Sequence, residues 1–126
     1  MKSIVCGAGL IGQGIAESLS KEGLDVTVID ESEELIKKIS ETLDVKTIVG
    51  TASLPTILDS AGANECDILI AVTKNDETNM IVCQIGHSLF NIQNKIARIR
   101  NQDYLKGEYI HLYNKNNLPI DTIISP

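Results

Sequence analysis

Gly7-Ala8-Gly9-Leu10-Ile11-Gly12 follows the apolar run Ile4-Val5-Cys6, and a second apolar run, Val26-Thr27-Val28-Ile29, ends at Asp30. Glycines at this spacing allow a sharp turn from strand to helix and a close approach of the backbone to a pyrophosphate. The following helix points free N–H groups at the phosphates, and an acid after the next strand accepts hydrogen bonds from ribose hydroxyls. The arrangement predicts a nucleotide-binding strand–helix–strand unit. The alternative is a glycine turn that only packs the helix on the strand, without a ligand.

The composition predicts one ordinary globular domain. The chain has 126 residues, of which 43% are hydrophobic and 22% are charged, and this length suits a single domain. The formal net charge of −6 argues against a nucleic-acid-binding protein, which normally carries a basic patch. The acidic cluster between Asp30 and Glu34 is expected to be a solvated helix start rather than a metal site, since acids favour helix N-termini.

No segment of the sequence suggests a membrane span or an exported protein. The longest apolar run, Ile68-Leu69-Ile70-Ala71-Val72, has the length of a buried strand, whereas a transmembrane helix needs roughly 20 residues. Met1-Lys2-Ser3 leads straight into the first apolar run, so no signal peptide is expected. Cys6, Cys66 and Cys83 have no metal-ligand spacing, and we expect reduced core residues in a cytosolic protein.

The sequence alternates between predicted strands and predicted helices. Strands are predicted at residues 2–6, 25–29, 46–49, 67–72 and 95–98, with a weak sixth at 109–113. Helices are predicted at residues 10–22 and at residues 54–61. Two more are predicted to begin after a Ser32 cap and at Asp76. The tail, residues 118–126, is apolar and is predicted to start a helix or to pack on a partner.

Strands that alternate with helices predict an α/β fold with a parallel sheet covered on both faces. Right-handed crossovers then give a Rossmann-like doubly wound parallel sheet with the strand order 3-2-1-4-5-6. In such a sheet the ligand lies at the carboxyl ends of the strands, where the order reverses. The candidate site residues therefore follow the predicted strands: Gly7 onward, Asp30, Gly50-Thr51, Thr73-Lys74 and Arg98-Ile99-Arg100.

Asp30 is expected to bind the adenosine ribose. A 2′-phosphate placed about 4 Å from its carboxylate would be repelled by roughly 4 kcal/mol per unit charge at an effective dielectric constant of about 20. NAD or an adenine mononucleotide is therefore favoured over NADP. The alternative role for Asp30 is to cap the next helix. For Thr51 and Ser53, contact with the adenine edge and capping of the 54–61 helix both remain open.

Thr73 and Lys74 end the most apolar predicted strand, beside the glycine turn. Thr73 would hydrogen-bond the far ribose or a phosphate, and Lys74 would supply positive charge. Arg98 and Arg100 share one face of the fifth predicted strand and suit pairing with a phosphate or a carboxylate. The alternatives are a simple turn for Thr73 and Lys74, and surface salt bridges for the arginines.

The sequence offers little acid–base chemistry. His87 is expected to be a partly buried packing residue, and His111 is expected to lie at the surface. Neither belongs to a Ser/His or Cys/His constellation. A hydride-transfer enzyme also needs a substrate domain beside the cofactor domain. The sequence therefore predicts a binding domain rather than an enzyme.

The whole chain resembles the N-terminal nucleotide-binding domain of Trk-type potassium uptake proteins, the TrkA-N, KTN or RCK domain family. The resemblance rests on the glycine motif, on Val28-Ile29-Asp30 and on Val49-Gly50-Thr51-Ala52-Ser53. Its most specific segments are Asp76-Glu77-Thr78-Asn79-Met80 and Ile96-Ala97-Arg98-Ile99-Arg100.

The resemblance implies a regulatory role without catalysis. Such domains bind NAD(H), and in many members ATP or ADP, and they form dimers or higher rings on the cytoplasmic face of a membrane potassium channel or transporter. The nucleotide then biases the open state of the pore. Carried over by position, the implied binding set is Gly7, Ala8, Gly9, Leu10, Ile11, Gly12, Asp30, Thr51, Thr73, Lys74 and Arg98.

Two departures from the family pattern qualify the resemblance. Some members carry a basic residue between the second and third glycines, where this chain has Leu10 and Ile11. The family usually continues into a second ligand-binding subdomain, so residues 1–126 are expected to be an excised nucleotide-binding domain or a short member. The alternative function is the cofactor-binding half of an NAD-dependent dehydrogenase, whose substrate domain would follow Pro126.

Overall fold

Strands and helices alternate along the computed structural model of the chain, which describes residues 1–125 and leaves out Pro126, the last residue of the predicted tail. The strands are β1 (Lys2–Cys6), β2 (Asp25–Asp30), β3 (Lys46–Val49), β4 (Ile68–Ala71), β5 (Asn94–Arg98) and β6 (Thr122–Ile124). The α-helices are α1 (Leu10–Lys21), α2 (Glu33–Thr42), α3 (Pro55–Ser60) and α4 (Asp76–Phe90). Short 3₁₀ helices span Ala63–Glu65, Gln102–Tyr104 and Gly107–Leu112.

The six strands form one parallel sheet in the order β3-β2-β1-β4-β5-β6. The predicted Rossmann-like order 3-2-1-4-5-6 is confirmed. From β1 the chain passes to β2 on one side, and β4 later pairs on the other side, with Val5 beside Val28 and Ile70. The carboxyl ends of β1 and β4 therefore flank the point where the order reverses, and a crevice forms there in this class of sheet.

Side chains from the two faces of the sheet pack into two hydrophobic clusters. Along β1, Ile4 and Cys6 belong to one cluster and Val5 to the other, as the two-residue period of a strand requires. Helices cover both faces, which explains why the central strands are continuous apolar runs.

Three of the helix starts follow from the sequence. The Leu35 N–H donates to Ser32 Oγ at 3.1 Å at the start of α2, and the Thr78 N–H donates to Asn75 Oδ1 at 2.7 Å at the start of α4. Pro55 occupies the first turn of α3, where its missing N–H costs nothing. The predicted capping role of Ser53 is wrong, because Leu54 holds the cap position and no side chain caps α3.

The predicted sixth strand at residues 109–113 is wrong. Those residues lie mostly in the 3₁₀ helix Gly107–Leu112, with Tyr109, Ile110 and Leu112 exposed. The alternating apolar residues there do not bury one face, so the pattern does not produce a strand. The tail instead supplies β6, which pairs with β5 as a parallel edge strand. The expectation of a helix start fails because Thr122-Ile123-Ile124 is β-branched throughout and favours a strand.

Lys95 and Asp121 join β5 to this edge strand. The Lys95 side chain is 2% exposed, and its Nζ donates to the Ile92 carbonyl at 2.7 Å and lies 3.2 Å from Asp121 Oδ2. The same Asp121 oxygen accepts from the Lys95 N–H at 2.9 Å. A buried ammonium therefore depends on one carboxylate that is partly open to water.

We expect Asp121→Ala to lower the free energy of unfolding by about 2 kcal/mol. Removal of one partner of a fully buried ion pair costs roughly 3–5 kcal/mol. The value expected here is smaller because water screens the Asp121 carboxylate. Lys95→Met removes the charge and keeps the apolar stem, so it should cost less than Asp121→Ala. Urea unfolding followed by circular dichroism measures both values, and the reverse ranking would contradict this account of the pair.

The three cysteines are free thiols, with Cys6 and Cys83 buried and Cys66 half-buried. Burial raises the pKa of Cys66 to about 11 and that of Cys83 to about 12, and it raises the pKa of Cys6 further. The thiols are therefore protonated packing residues near neutral pH, as an inert core cysteine should be.

Raised thiol pKa values predict a loss of stability at alkaline pH. Above the unfolded thiol pKa of 9.0 the unfolded chain releases protons that the folded chain retains, so the free energy of unfolding falls as pH rises. For Cys6 and Cys83 together the loss between pH 7 and pH 9.5 should be about 2 kcal/mol. Urea titrations at the two pH values measure it. The double variant Cys6→Ala/Cys83→Ala should lose most of this pH dependence, and an unchanged dependence would contradict the prediction.

Candidate functional site

A cleft of about 580 Å³ opens at the carboxyl ends of the strands, between the glycine turn and the loops after β2, β3, β4 and β5. Nine of the eleven residues of the implied binding set line it: Gly7, Gly9, Leu10, Ile11, Asp30, Thr51, Thr73, Lys74 and Arg98. The structure therefore brings together residues that lie up to 91 positions apart in the chain, 98 minus 7. Ala8 and Gly12 do not line the cleft, and both are buried behind the turn.

The three glycines of the turn meet different surroundings. Gly7 has a φ of +117°, and a Cβ there would lie 2.7 Å from the Val72 carbonyl oxygen. A Cβ on Gly12 would lie 1.8 Å from the Gly7 carbonyl oxygen. A Cβ on Gly9 would meet no atom within 4 Å, in a residue that lines the cleft. Packing alone therefore explains why positions 7 and 12 require glycine. It does not explain why Gly9 is a glycine.

The N-terminus of α1 faces the same cleft. Gly9 is the cap residue of this helix, and no side chain in the described part of the chain, residues 1–125, caps its first-turn N–H groups. Leu10 and Ile11, the first two helical residues, line the cleft, and Leu10 is 87% exposed. An uncapped helix N-terminus offers N–H donors and a positive dipole end to an anion. The turn itself supplies no side-chain charge.

Asp30 is half-buried beside the turn and is held by two backbone groups. The Ala8 N–H donates to its Oδ2 at 2.7 Å, and the Ser32 N–H donates to its Oδ1 at 2.8 Å. Each carboxylate oxygen has a second lone pair, which leaves acceptor capacity for a ribose hydroxyl. The alternative capping role belongs to Ser32 instead, whose hydroxyl caps α2.

Glu31 is a cleft residue that the sequence pattern did not single out. Its Oε1 accepts a hydrogen bond from Thr51 Oγ1 at 2.7 Å, so this pair joins the loops after β2 and β3. The predicted helix start is confirmed for Glu33 and Glu34, which lie in the first turn of α2. For Glu31, its position just past a predicted strand is the signal that indicates a cleft residue. The cleft also contains Ile29, Ser32, Leu35, Gly50, Ala52, Val72, Asn75 and Thr78.

The far side of the cleft contains Thr73, Lys74 and Arg98, after β4 and at the end of β5. Arg98 Nε is buried and has no hydrogen-bond partner among residues 1–125. Arg100 turns away, and its Nη2 donates to the Lys74 carbonyl at 3.0 Å. Within residues 1–125 neither arginine forms a salt bridge. A buried N–H without a partner is costly, and Arg98 is therefore the arginine suited to an anion in the cleft.

The histidines lie elsewhere. His87 is half-buried on α4 and His111 is exposed in the last 3₁₀ helix, as predicted, and neither lines the cleft. Among residues 1–125 no helix combines the length and the apolar character that crossing a bilayer requires.

Comparison with known proteins places the sequence in one family. The family model described as "TrkA-N domain" matches residues 3–126. The Trk system potassium uptake protein TrkA of Azorhizobium caulinodans is 48% identical over 126 residues, and the one of Haemophilus influenzae is 44% identical. Both alignments cover 100% of this chain but only 28% and 27% of the relatives. The chain thus spans little more than a quarter of their length.

Solved structures of low sequence identity share the fold. The TrkA-N domain of the inner membrane protein ybaL from Escherichia coli has a TM-score of 0.83 at 18% identity, covering 98% of this chain and 86% of that one. The Kef C-terminal domain of Shewanella denitrificans in AMP-bound form has a TM-score of 0.78 at 20% identity, covering 100% and 72%. The GsuK channel bound to NAD has a TM-score of 0.79 at 16% identity, covering 98% and 21%. Since the family model spans nearly all of the sequence and the fold agrees, this chain belongs to the TrkA-N domain family.

Proposed function

We propose that this chain is a nucleotide-binding regulatory domain of a potassium uptake system and that NAD(H), or ATP or ADP, occupies the cleft. The observation that carries the proposal is the open space above Gly9 in the cleft at the N-terminus of α1, because no protein atom requires a glycine there, whereas the close approach of a pyrophosphate does. The names of the TrkA relatives support the potassium uptake role. The AMP in the Kef structure and the NAD in the GsuK structure support an adenine nucleotide as ligand.

In the proposed site the residues have separate roles. The backbone of the turn from Gly7 to Gly12 and the N-terminus of α1 would hold the phosphates. Asp30 would accept hydrogen bonds from the adenosine ribose, and Thr51 would lie at the adenine side. Thr73, Lys74 and Arg98 would bind the other end of the ligand.

The wider setting is part of the same proposal. Residues 1–126 act as one nucleotide-binding domain, as a homodimer or a higher ring, at the cytoplasmic face of the cell membrane. The partner is a membrane potassium channel or transporter subunit, and no nucleic acid is bound. A nucleotide shifts such an assembly only if it binds two conformations with different affinities.

The cleft residues favour binding without turnover. The titratable side chains that line it are Asp30, Glu31, Lys74 and Arg98, and neither histidine is among them. Purified chain should therefore bind NADH without oxidising it in the presence of metabolites. Enzyme-like oxidation of NADH would overturn this part of the proposal and would favour the dehydrogenase alternative.

We expect NADP to bind at least about tenfold more weakly than NAD, a difference of roughly 1.4 kcal/mol. Asp30 and Glu31 both line the cleft, on the side where we propose that the adenosine binds, so a 2′-phosphate beside them would meet like charge. Calorimetric titration of both ligands measures the ratio. Asp30→Asn and Glu31→Gln should each bring the affinities for NAD and NADP closer together. Equal affinities of the unmodified chain for the two ligands would contradict the placement of these acids beside the adenosine ribose.

Potassium transport tests the regulatory role in cells. Disruption of the gene that encodes this chain should lower the rate of rubidium uptake under potassium limitation, and the unmodified gene should restore it. A gene that carries Gly9→Ala should fail to restore uptake although the protein accumulates. Unchanged uptake after disruption would overturn the role in potassium uptake.

A further inference from the structure

The connection from β5 to β6 begins with a surface segment, residues 100–113, which we call the strap and which contains two short 3₁₀ helices. None of these residues, all of them within the described part of the chain, is buried, and only Tyr104, Leu105 and Tyr113 are half-buried. A segment with few buried apolar contacts opens at a lower free-energy cost than the core does. The strap therefore depends on a small number of polar contacts for its position.

Two acids in the first turn of α4 hold the start of the strap. Asp76 Oδ1 accepts from the Arg100 N–H at 3.0 Å, and Asp76 Oδ2 accepts from the Asn101 N–H at 2.9 Å. Glu77 Oε2 accepts from the Tyr104 hydroxyl. Asp76 is only 9% exposed, so water competes little for the bonds at its carboxylate. The N-terminus of α4 thus fixes the point where the strap leaves the sheet.

A further contact joins the strap to the wall of the cleft. Arg100 Nη2 donates to the Lys74 carbonyl at 3.0 Å. Lys74 lines the cleft, and it also lines a second, polar hollow of about 410 Å³ to which Asp76, Glu77 and Arg100 belong. The loop after β4 therefore stands between the two hollows, with the proposed ligand site on one side and the start of the strap on the other.

Asn79 ties the same loop to the end of β5. Its Oδ1 accepts from the Thr73 N–H at 2.9 Å, and its Nδ2 donates to the Arg98 carbonyl at 2.8 Å. Asn79 is fully buried. The loop after β4, the end of β5 and the start of the strap thus form one hydrogen-bonded unit around the first turn of α4.

We propose that the strap is a conformational switch that a nucleotide in the cleft fastens, so that occupancy of the cleft is transmitted to the surface that the strap forms. This inference rests on the proposed nucleotide binding. Tyr109, Ile110 and Leu112 are exposed on the strap. The switch therefore decides how these apolar side chains are presented.

The coupling follows from the conformational freedom of the loop after β4. A ligand that binds the Lys74 ammonium holds this loop in one conformation. The bond from Arg100 to the Lys74 carbonyl requires the same ordering, so it forms at a lower entropic cost when the ligand is already bound. Such positive coupling needs no large displacement of the backbone.

Hydrogen–deuterium exchange read by mass spectrometry tests the switch, with NADH, NAD, ATP and ADP as probes at concentrations that calorimetry shows to be saturating. In the unmodified chain, a nucleotide that binds should slow exchange over residues 100–105 about fivefold or more, the lower end of couplings between sites. Residues 40–45, which precede β3 and lie outside the cleft, are the internal reference and should change by less than about twofold.

Arg100→Ala removes the bond to Lys74 and leaves the Asp76 bonds, which use backbone N–H groups. Arg100 is exposed, and a surface substitution of this kind preserves the fold. At saturating nucleotide, exchange over residues 100–105 of this variant should slow by less than about twofold. Lys106→Ala is the matched control, because it removes a positive charge from the same strap. Lys106 pairs with Asp103 and lines neither hollow, so its variant should keep the full slowing.

Unchanged exchange over residues 100–105 while a nucleotide binds the unmodified chain would overturn the switch. Full slowing in nucleotide-bound Arg100→Ala would overturn it as well, since the coupling would then not pass through Lys74, and so would equal loss of the slowing in Lys106→Ala. Failure of all four nucleotides to bind the unmodified chain would instead overturn the proposed function of the cleft, and the switch with it.

Discussion

Gly12→Ala is expected to remove most of the stability of the fold. A Cβ at Gly12 would lie 1.8 Å from the Gly7 carbonyl oxygen, and that oxygen belongs to backbone that cannot rotate away like a side chain. The helix must then leave the sheet or the turn must open. We expect the free energy of unfolding to fall by at least about 3 kcal/mol, at the upper end of overpacking effects, out of a total of about 5–15 kcal/mol. Urea unfolding followed by circular dichroism measures the loss.

Gly14→Ala is the matched control, two residues further along the same helix. A Cβ at Gly14 would meet nothing within 4 Å, and alanine favours a helix interior over glycine by about 0.5–1 kcal/mol. This variant should be slightly more stable than the unmodified chain. Stability of Gly12→Ala within about 0.5 kcal/mol of the unmodified chain would contradict the packing role, since ordinary surface substitutions change the free energy of unfolding by that amount.

Gly9→Ala should have the opposite effect, with stability preserved and nucleotide binding lost. Gly9 has a φ of −73° and a ψ of −170°, which any residue adopts, and its Cβ would enter open space in the cleft. A methyl group there would occupy the space that we propose for a pyrophosphate. We expect the affinity for NADH to fall by at least about 100-fold, or 2.7 kcal/mol, while the melting temperature changes little.

Titration of Gly9→Ala and Gly14→Ala with NADH in parallel isolates the effect of the methyl group's position, because both variants add the same atoms to the same loop–helix region. Gly14→Ala should bind NADH as the unmodified chain does. Equal binding by the two variants would show that the ligand does not approach the turn at Gly9.

The central part of the fold was predictable because local and global signals agree there. The apolar runs that became β1, β2 and β4 are buried on both faces, so they carry a strong pattern. The edge was not predictable in the same way. Tyr109, Ile110 and Leu112 look like a strand but remain exposed. The β-branched run of β6 is only three residues long and pairs with β5 alone, beside the contact of Asp121 with Lys95, 26 positions earlier.

The candidate site was predictable wherever a residue lies at the carboxyl end of a strand or just past it. Asp30, Thr73 and Arg98 were placed in the cleft by topology alone, since parallel strands end at one edge. The sequence did not reveal that Asp30 is held by the Ala8 and Ser32 N–H groups. Such contacts depend on how loops settle in three dimensions, and no residue pattern encodes them.

Asn79 is a second example of a residue whose contacts the sequence does not reveal. The sequence marked its segment as characteristic of the family but gave it no role. Its structural role, a link between the loop after β4 and the end of β5, follows from burial and from four hydrogen bonds to Thr73 and Arg98, which are 6 and 19 residues away. A buried amide with every group paired becomes evident only once the fold brings the strand ends together.

Calorimetric titration of the purified chain with NADH, NAD, ATP and ADP, beside Asp30→Ala, tests the central claim most directly. We predict that at least one of the four binds the unmodified chain at one site per chain and that Asp30→Ala, checked for folding by circular dichroism, weakens it about tenfold or more, as loss of a charged hydrogen-bond acceptor implies. Absence of binding by all four ligands to the folded chain would contradict the claim, and so would undiminished binding by folded Asp30→Ala.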